Sequence, residues 1–97
     1  MESNYDWLDC IPVGWYDIGL EMIEQCEAID PEYTIYDMKE KWGHLDVISN
    51  SGNYEIAAIE EEYWKKSAEV CAHCGKPATM RTINGWILPM CGDCMRH

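Results

Sequence analysis

Four cysteines carry the clearest chemistry in this sequence. They stand as Cys71-Ala72-His73-Cys74 and Cys91-Gly92-Asp93-Cys94, with sixteen residues between the pairs. Two C-x2-C pairs at this separation are the pattern of one tetrahedral four-thiolate zinc site. Each pair closes a tight knuckle that aims two sulfurs at one ion. Four thiolates leave no open position for water, so the implied cofactor is a single structural Zn2+ rather than a catalytic one. Two other readings of these cysteines exist. A thioredoxin-like redox pair would need a βαβ context, which neither pair has. Buried or disulfide-bonded thiols would leave the two matched spacings without a reason.

The residues between the pairs form the element that must hold the knuckles together. Residues 78–83 and 86–90 are apolar-rich runs joined by Asn84-Gly85. Asn-Gly between two such runs is the strongest short hairpin signal, because both turn positions accept positive φ. Residues 71–97 therefore read as a zinc ribbon: two knuckles carried by a β-hairpin.

Upstream, residues 1–70 read as an acidic α+β body with an N-terminal arm. Residues 1–14 are acidic and aromatic, broken by Pro12 and Gly14, and predict an irregular arm with Trp7, Leu8 and Ile11 folded back onto the body. Residues 15–29 predict a helix, with Trp15, Ile18, Gly19, Met22, Cys26 and Ile29 at three- and four-residue steps. Asp30-Pro31 stops it. Residues 33–38 and 45–49 predict two strands, connected through residues 39–44 with Gly43 at a turn or bulge. Ser51 or Asn53 caps a second helix over residues 54–70, whose buried line is Ile56, Ile59, Tyr63 and Val70. Glu61 with Lys65 and Glu62 with Lys66 are favourable i,i+4 pairs on it. The predicted class is α+β: a helix–β-hairpin–helix body packed with a C-terminal zinc ribbon.

Charge is divided unevenly along the chain. Residues 1–70 hold 17 Asp and Glu against 4 Lys and Arg, a net of −13, whereas residues 71–97 hold 1 acid against 3 bases. A free-standing nucleic-acid reader shows the opposite sign, since phosphate contacts need Lys and Arg. An acidic surface favours a basic partner, including the nucleic-acid groove of another protein. No apolar run approaches the length of a membrane span and no signal-peptide pattern opens the sequence, so a cytoplasmic protein is expected. Cys10 and Cys26 fall outside the ribbon and read as buried apolar thiols.

The ribbon joins a second feature here. Gly14-Trp15 opens the first helix, Lys39-Glu40-Lys41-Trp42-Gly43-His44-Leu45 crosses the hairpin, and Cys71-Ala72-His73-Cys74-Gly75-Lys76-Pro77-Ala78, Gly85-Trp86, Cys91 and Cys94 make the ribbon. In this combination the chain resembles a group of small phage and prophage proteins, over most of residues 14–94. Their hairpin usually reads K-E-K-F-G-x-L, so Trp42 substitutes a larger aromatic. The resemblance implies a phage-type accessory protein. It brings no established activity, and the strong acidity of the helices and the N-terminal arm are not features assigned to the group.

The sequence bears on three function classes. Catalysis is not expected: His44, His73 and His97 sit in no catalytic motif, and there is no nucleophile elbow, phosphate loop or dinucleotide fingerprint. The favoured class is an interaction module, an inhibitor that occupies the basic channel of a nucleic-acid-handling host defence protein. Its contacts would be Glu21, Glu24 and Glu27 of the first helix and Glu60, Glu61 and Glu62 of the second. The bland alternative is that these acids only keep a small protein soluble. The third class is a nucleic-acid-binding ribbon using Lys76, Arg81, Trp86 and Arg96. A structural subunit that docks through the ribbon is a softer form of the interaction reading.

Overall fold

In the computed structural model of this chain, residues 3–95 are described; Arg96 and His97, named above, lie outside them. A 3-10 helix over Asn4–Cys10 opens the chain, where the sequence suggested an irregular arm. The 3-10 turn Val13–Trp15 then leads into α1, Tyr16–Ile29. The antiparallel strands β1, Ile35–Lys41, and β2, His44–Ser49, form a first hairpin. The helix α2, Tyr54–Ser67, follows, capped by the Asn53 side chain, which accepts the Glu55 and Ile56 backbone N–H groups. The ribbon consists of β3, Thr79–Ile83, and β4, Trp86–Met90, paired antiparallel, and a single helical turn α3, Gly92–Met95.

One core lies between the helices and the first hairpin. Trp15, Met22, Ile23 and Cys26 of the α1 region meet Met38, Leu45, Ile56 and Tyr63, all essentially fully buried. Burying side chains of this size is the main source of stability in a small domain. Leu8 and Ile11 are buried against Gly19, where an added Cβ would sit 2.8 Å from Leu8 Cδ2. The arm thus folds back as expected, and Trp7 packs on the core edge.

The first hairpin departs from the expected register. The turn is not a six-residue connection: Lys41 pairs with His44, so Trp42-Gly43 alone makes it. Both have positive φ, 54° and 81°, the backbone of a type I′ turn. Asn84-Gly85 makes the matching turn in the ribbon, at 52° and 81°. A bulge between Ile35 and Asp37 breaks the simple alternation, so that Ile35 and Met38, three apart, both face the core. Helix α2 ends at Ser67 rather than running into the ribbon. Ser67 is fully buried; its Oγ accepts the Leu45 N–H at 2.7 Å and donates to the Trp64 carbonyl at 2.8 Å. Lys66 turns to Glu21 of α1, at 3.8 Å, rather than to Glu62. Glu61 and Lys65 do pair, at 3.9 Å on an exposed face.

Candidate metal centre

The two knuckles are local structures held by their own backbone. The Cys71 N–H donates to the Lys76 carbonyl at 2.7 Å and the Gly75 N–H to the Cys71 carbonyl at 2.9 Å. After β4, the Met95 N–H donates to the Cys91 carbonyl, which coils the second pair into α3. The β3–β4 hairpin spans the distance between the pairs, and the Ala72 N–H ties the first knuckle to the Pro89 carbonyl at 2.9 Å.

This brings Cys71, Cys74, Cys91 and Cys94 together, with all four sulfurs within 4.8 Å of one another and no disulfide among them. Cys74 and Cys91 Sγ are 3.5 Å apart. A Zn–S bond of about 2.3 Å places tetrahedral sulfurs about 3.8 Å apart, so the cluster is sized for one zinc ion. A disulfide would need sulfurs at about 2 Å. The donor set therefore fits a single structural zinc site, as the spacing predicts. Cys71 and Cys91 are buried, Cys94 is half-buried and Cys74 is exposed, so the ion sits at the edge of the fold.

The sulfurs differ in acidity for identifiable reasons. Burial opposes ionisation of Cys71, but the backbone N–H groups of Cys91, Cys74 and His73 around its sulfur hold it down to about 6. Cys91 is also lowered, chiefly by the Cys94 N–H. Burial and the neighbouring sulfurs raise Cys94. The Lys76 N–H favours the Cys74 thiolate, but burial and the Cys91 and Cys71 sulfurs outweigh it and raise Cys74. Four negative sulfurs repel one another in this volume, which favours the protonated forms of Cys74 and Cys94. A divalent ion takes the place of those protons and makes all four ligands thiolates.

The ribbon is seated on the body at Gly14. Its N–H donates to the Ala72 carbonyl at 2.8 Å, and the Trp15 Nε1–H donates to the Val70 carbonyl at 2.9 Å. Val70 also bridges Pro77. Family models, curated proteins and solved structures offer no match to this chain.

The structure divides the six acids singled out for partner binding. Glu21, Glu24, Glu61 and Glu62 are exposed. Glu27 instead accepts from the Asn4 Nδ2–H at 2.8 Å and the Tyr5 hydroxyl at 3.1 Å, pinning the N-terminal 3-10 helix to α1. Glu60 accepts from the Tyr33 and Ser49 hydroxyls, both at 2.8 Å, beneath the first hairpin. Glu21 accepts the Tyr63 hydroxyl at 3.2 Å as well as facing Lys66. Of the ribbon bases, Arg81 Nε donates to the Met90 carbonyl at 2.9 Å, and Lys76 pairs with Asp93 at 3.3 Å. His44 stacks on Trp64 with ring centroids 4.4 Å apart, a packing contact. Cys26 is buried as expected, but Cys10 is exposed, because the 3-10 helix turns it outward at its last residue. Sequence reasoning missed Asn4, a buried side chain that bonds Glu27, the Tyr33 carbonyl and the Ile35 N–H. Its polar type beside an aromatic arm carries no local signal for such a role.

Among the described residues, no helix is long and apolar enough to cross a membrane.

Proposed function

We propose that this protein is a zinc-stabilised, acidic interaction module of phage type. In this reading it binds and inhibits a basic, nucleic-acid-handling host defence protein and has no catalytic role. The observation that carries the reading is the uncompensated acid of the body. Asp17 and Glu24 stand at i and i+7 of α1, exposed on one outer face and without an ion pair among the described residues, on either side of Glu21, which faces Lys66. Lys39, Lys65, Lys66 and Lys76 are each already paired with an acid of the same chain, so the surplus left for a partner is negative. Such a surface speeds and orients encounter with a basic groove. The ribbon supports the nucleic-acid reading poorly, because Arg81 and Lys76 already hold intramolecular contacts.

The test is a pull-down of the tagged, zinc-loaded protein from bacterial lysate, with and without nuclease. Recovery of a nucleic-acid-processing protein that survives nuclease and elutes with salt is expected. Replacing Glu21 and Glu24 together by Gln removes two charges and leaves Glu27 in place, since both of its oxygens accept hydrogen bonds from the N-terminal 3-10 helix. It is expected to slow association with the captured protein about tenfold at low salt. An unchanged association rate would remove this helix from the interface, and capture of bare nucleic acid would overturn the proposal.

A further inference from the structure

The two hairpin turns meet and make a pocket that the metal centre does not use. Gly43 of the first turn is buried against the ribbon: an added Cβ would overlap the Met80 sulfur and sit 3.2 Å from the Ile87 carbonyl oxygen. This contact leaves Trp42, 71% exposed, and Trp86, 61% exposed, flanking one pocket of about 230 Å³. Glu40, Gly85 and Ile87 complete its lining. A single exposed tryptophan needs no account. Two that share a pocket with a carboxylate are a recognisable chemical arrangement.

The carboxylate is held in place. Glu40 Oε2 accepts the Gly43 N–H at 2.7 Å. Alternation along β1 puts Glu40 on the side of buried Met38 and sends Lys39 and Lys41 to the other. The backbone at both tryptophans is set by two-residue turns, Trp42 inside one and Trp86 immediately after the other.

We infer that this pocket binds a cationic side chain, an arginine presented by a basic protein surface. The faces of Trp attract cations more strongly than those of other aromatics. A guanidinium plane stacks on indole and satisfies a carboxylate at its edge. A neutral apolar ligand would bury Glu40 without a counter-charge, at a desolvation cost. A phosphate would be repelled by Glu40 and by a chain of net charge −11. The class of partner rests on the function proposed above, whereas the preference for a cation rests on the pocket alone.

The test is a titration of the full, zinc-loaded chain with a short acetylated Gly/Arg peptide, following the five Trp indole N–H resonances by NMR. Saturable shifts of Trp42 and Trp86 are expected, with buried Trp15 unmoved. The same peptide with citrulline, which keeps the shape and removes the charge, is expected to move neither. Trp86→Ala, Trp42→Asn (Asn tolerates the positive φ) and Glu40→Gln (which keeps an oxygen for the Gly43 N–H) are each expected to weaken binding about tenfold. Equal binding of the citrulline peptide, or shifts confined to the acidic helices with Trp42 and Trp86 unmoved, would overturn the assignment. A positive titration with an empty pull-down would sink the proposed partner and leave the pocket standing. A negative titration with a captured partner would do the reverse.

Discussion

Gly14→Ala is the sharpest probe of how the zinc ribbon and the body hold each other. A Cβ at position 14 would overlap the Cys71 carbonyl oxygen and lie 2.7 Å from the Ala72 carbonyl carbon and 2.8 Å from its oxygen. These are backbone atoms of the first knuckle, already fixed by the Cys71–Lys76 and Gly75–Cys71 hydrogen bonds, so they cannot yield as the end of a flexible side chain does. The chains must part. That forfeits the Gly14–Ala72 hydrogen bond, about 1 kcal/mol net. It also strains the seat of fully buried Trp15, whose Nε1–H bonds Val70. Overpacking of this kind costs about 1–3 kcal/mol. A total near 3 kcal/mol corresponds to a fall in Tm of roughly 12–24 °C for a domain of this size. The assay is thermal unfolding of zinc-loaded protein by circular dichroism, with chelator competition for the metal. Gly52→Ala is the control, since nothing lies within 4 Å of its added Cβ. A Gly14→Ala protein melting within about 4 °C of the parent, with unchanged zinc affinity, would refute the idea that this crossing couples ribbon to body.

Further outcomes are expected at the metal site and the N-terminal arm. Cys74→Ser and Cys91→Ser should each abolish stoichiometric zinc by elemental analysis and unfold the β3–β4 hairpin, because ligation and folding are coupled. Full zinc content in either variant would contradict a four-thiolate site. Zinc retention should fall as pH drops through about 6, where Cys71 begins to hold a proton in the metal-free form. The sign follows from its lowered value: the stabilising thiolate is fully present above the ordinary thiol range and is lost on acidification. Metal release measured with a chromogenic chelator between pH 8 and 4 checks this, and retention unchanged to pH 4 would oppose it. Asn4→Ala removes the one side chain among the described residues that bonds both the Tyr33 carbonyl and the Ile35 N–H, at 2.7 and 2.8 Å, and leaves them buried. A loss of about 2–4 kcal/mol in urea unfolding is expected, and a change below about 0.5 kcal/mol would mean that the arm does not stabilise the body.

The zinc ligands were legible because the signal is local. Each knuckle brings two ligands together within four residues, and Asn84-Gly85 states its own turn. The helices were legible from apolar periodicity, and the Asn53 cap from side-chain chemistry. Gly43 marked the first turn, but its two-residue length was not legible, since Trp42 is an unusual residue at positive φ and gives no turn signal. The strand bulge at Ile35/Asp37 is likewise invisible to a two-residue period, because its cause is the core that Ile35 and Met38 must both reach.

The amino-acid sequence by itself determined the ligand set, the ribbon hairpin, the two helices and the excess of acid, all set by residue type and spacing over a few positions. Tertiary structure alone decided which of those acids face outward. It turned Glu27 and Glu60 inward to hydroxyl and amide donors and left Glu24 and Glu62 exposed. It also set Gly14 against the knuckle and brought the two hairpin turns together around Glu40. These outcomes depend on partners tens of residues away, and the burial and hydrogen bonds that select them exist only once the core has formed.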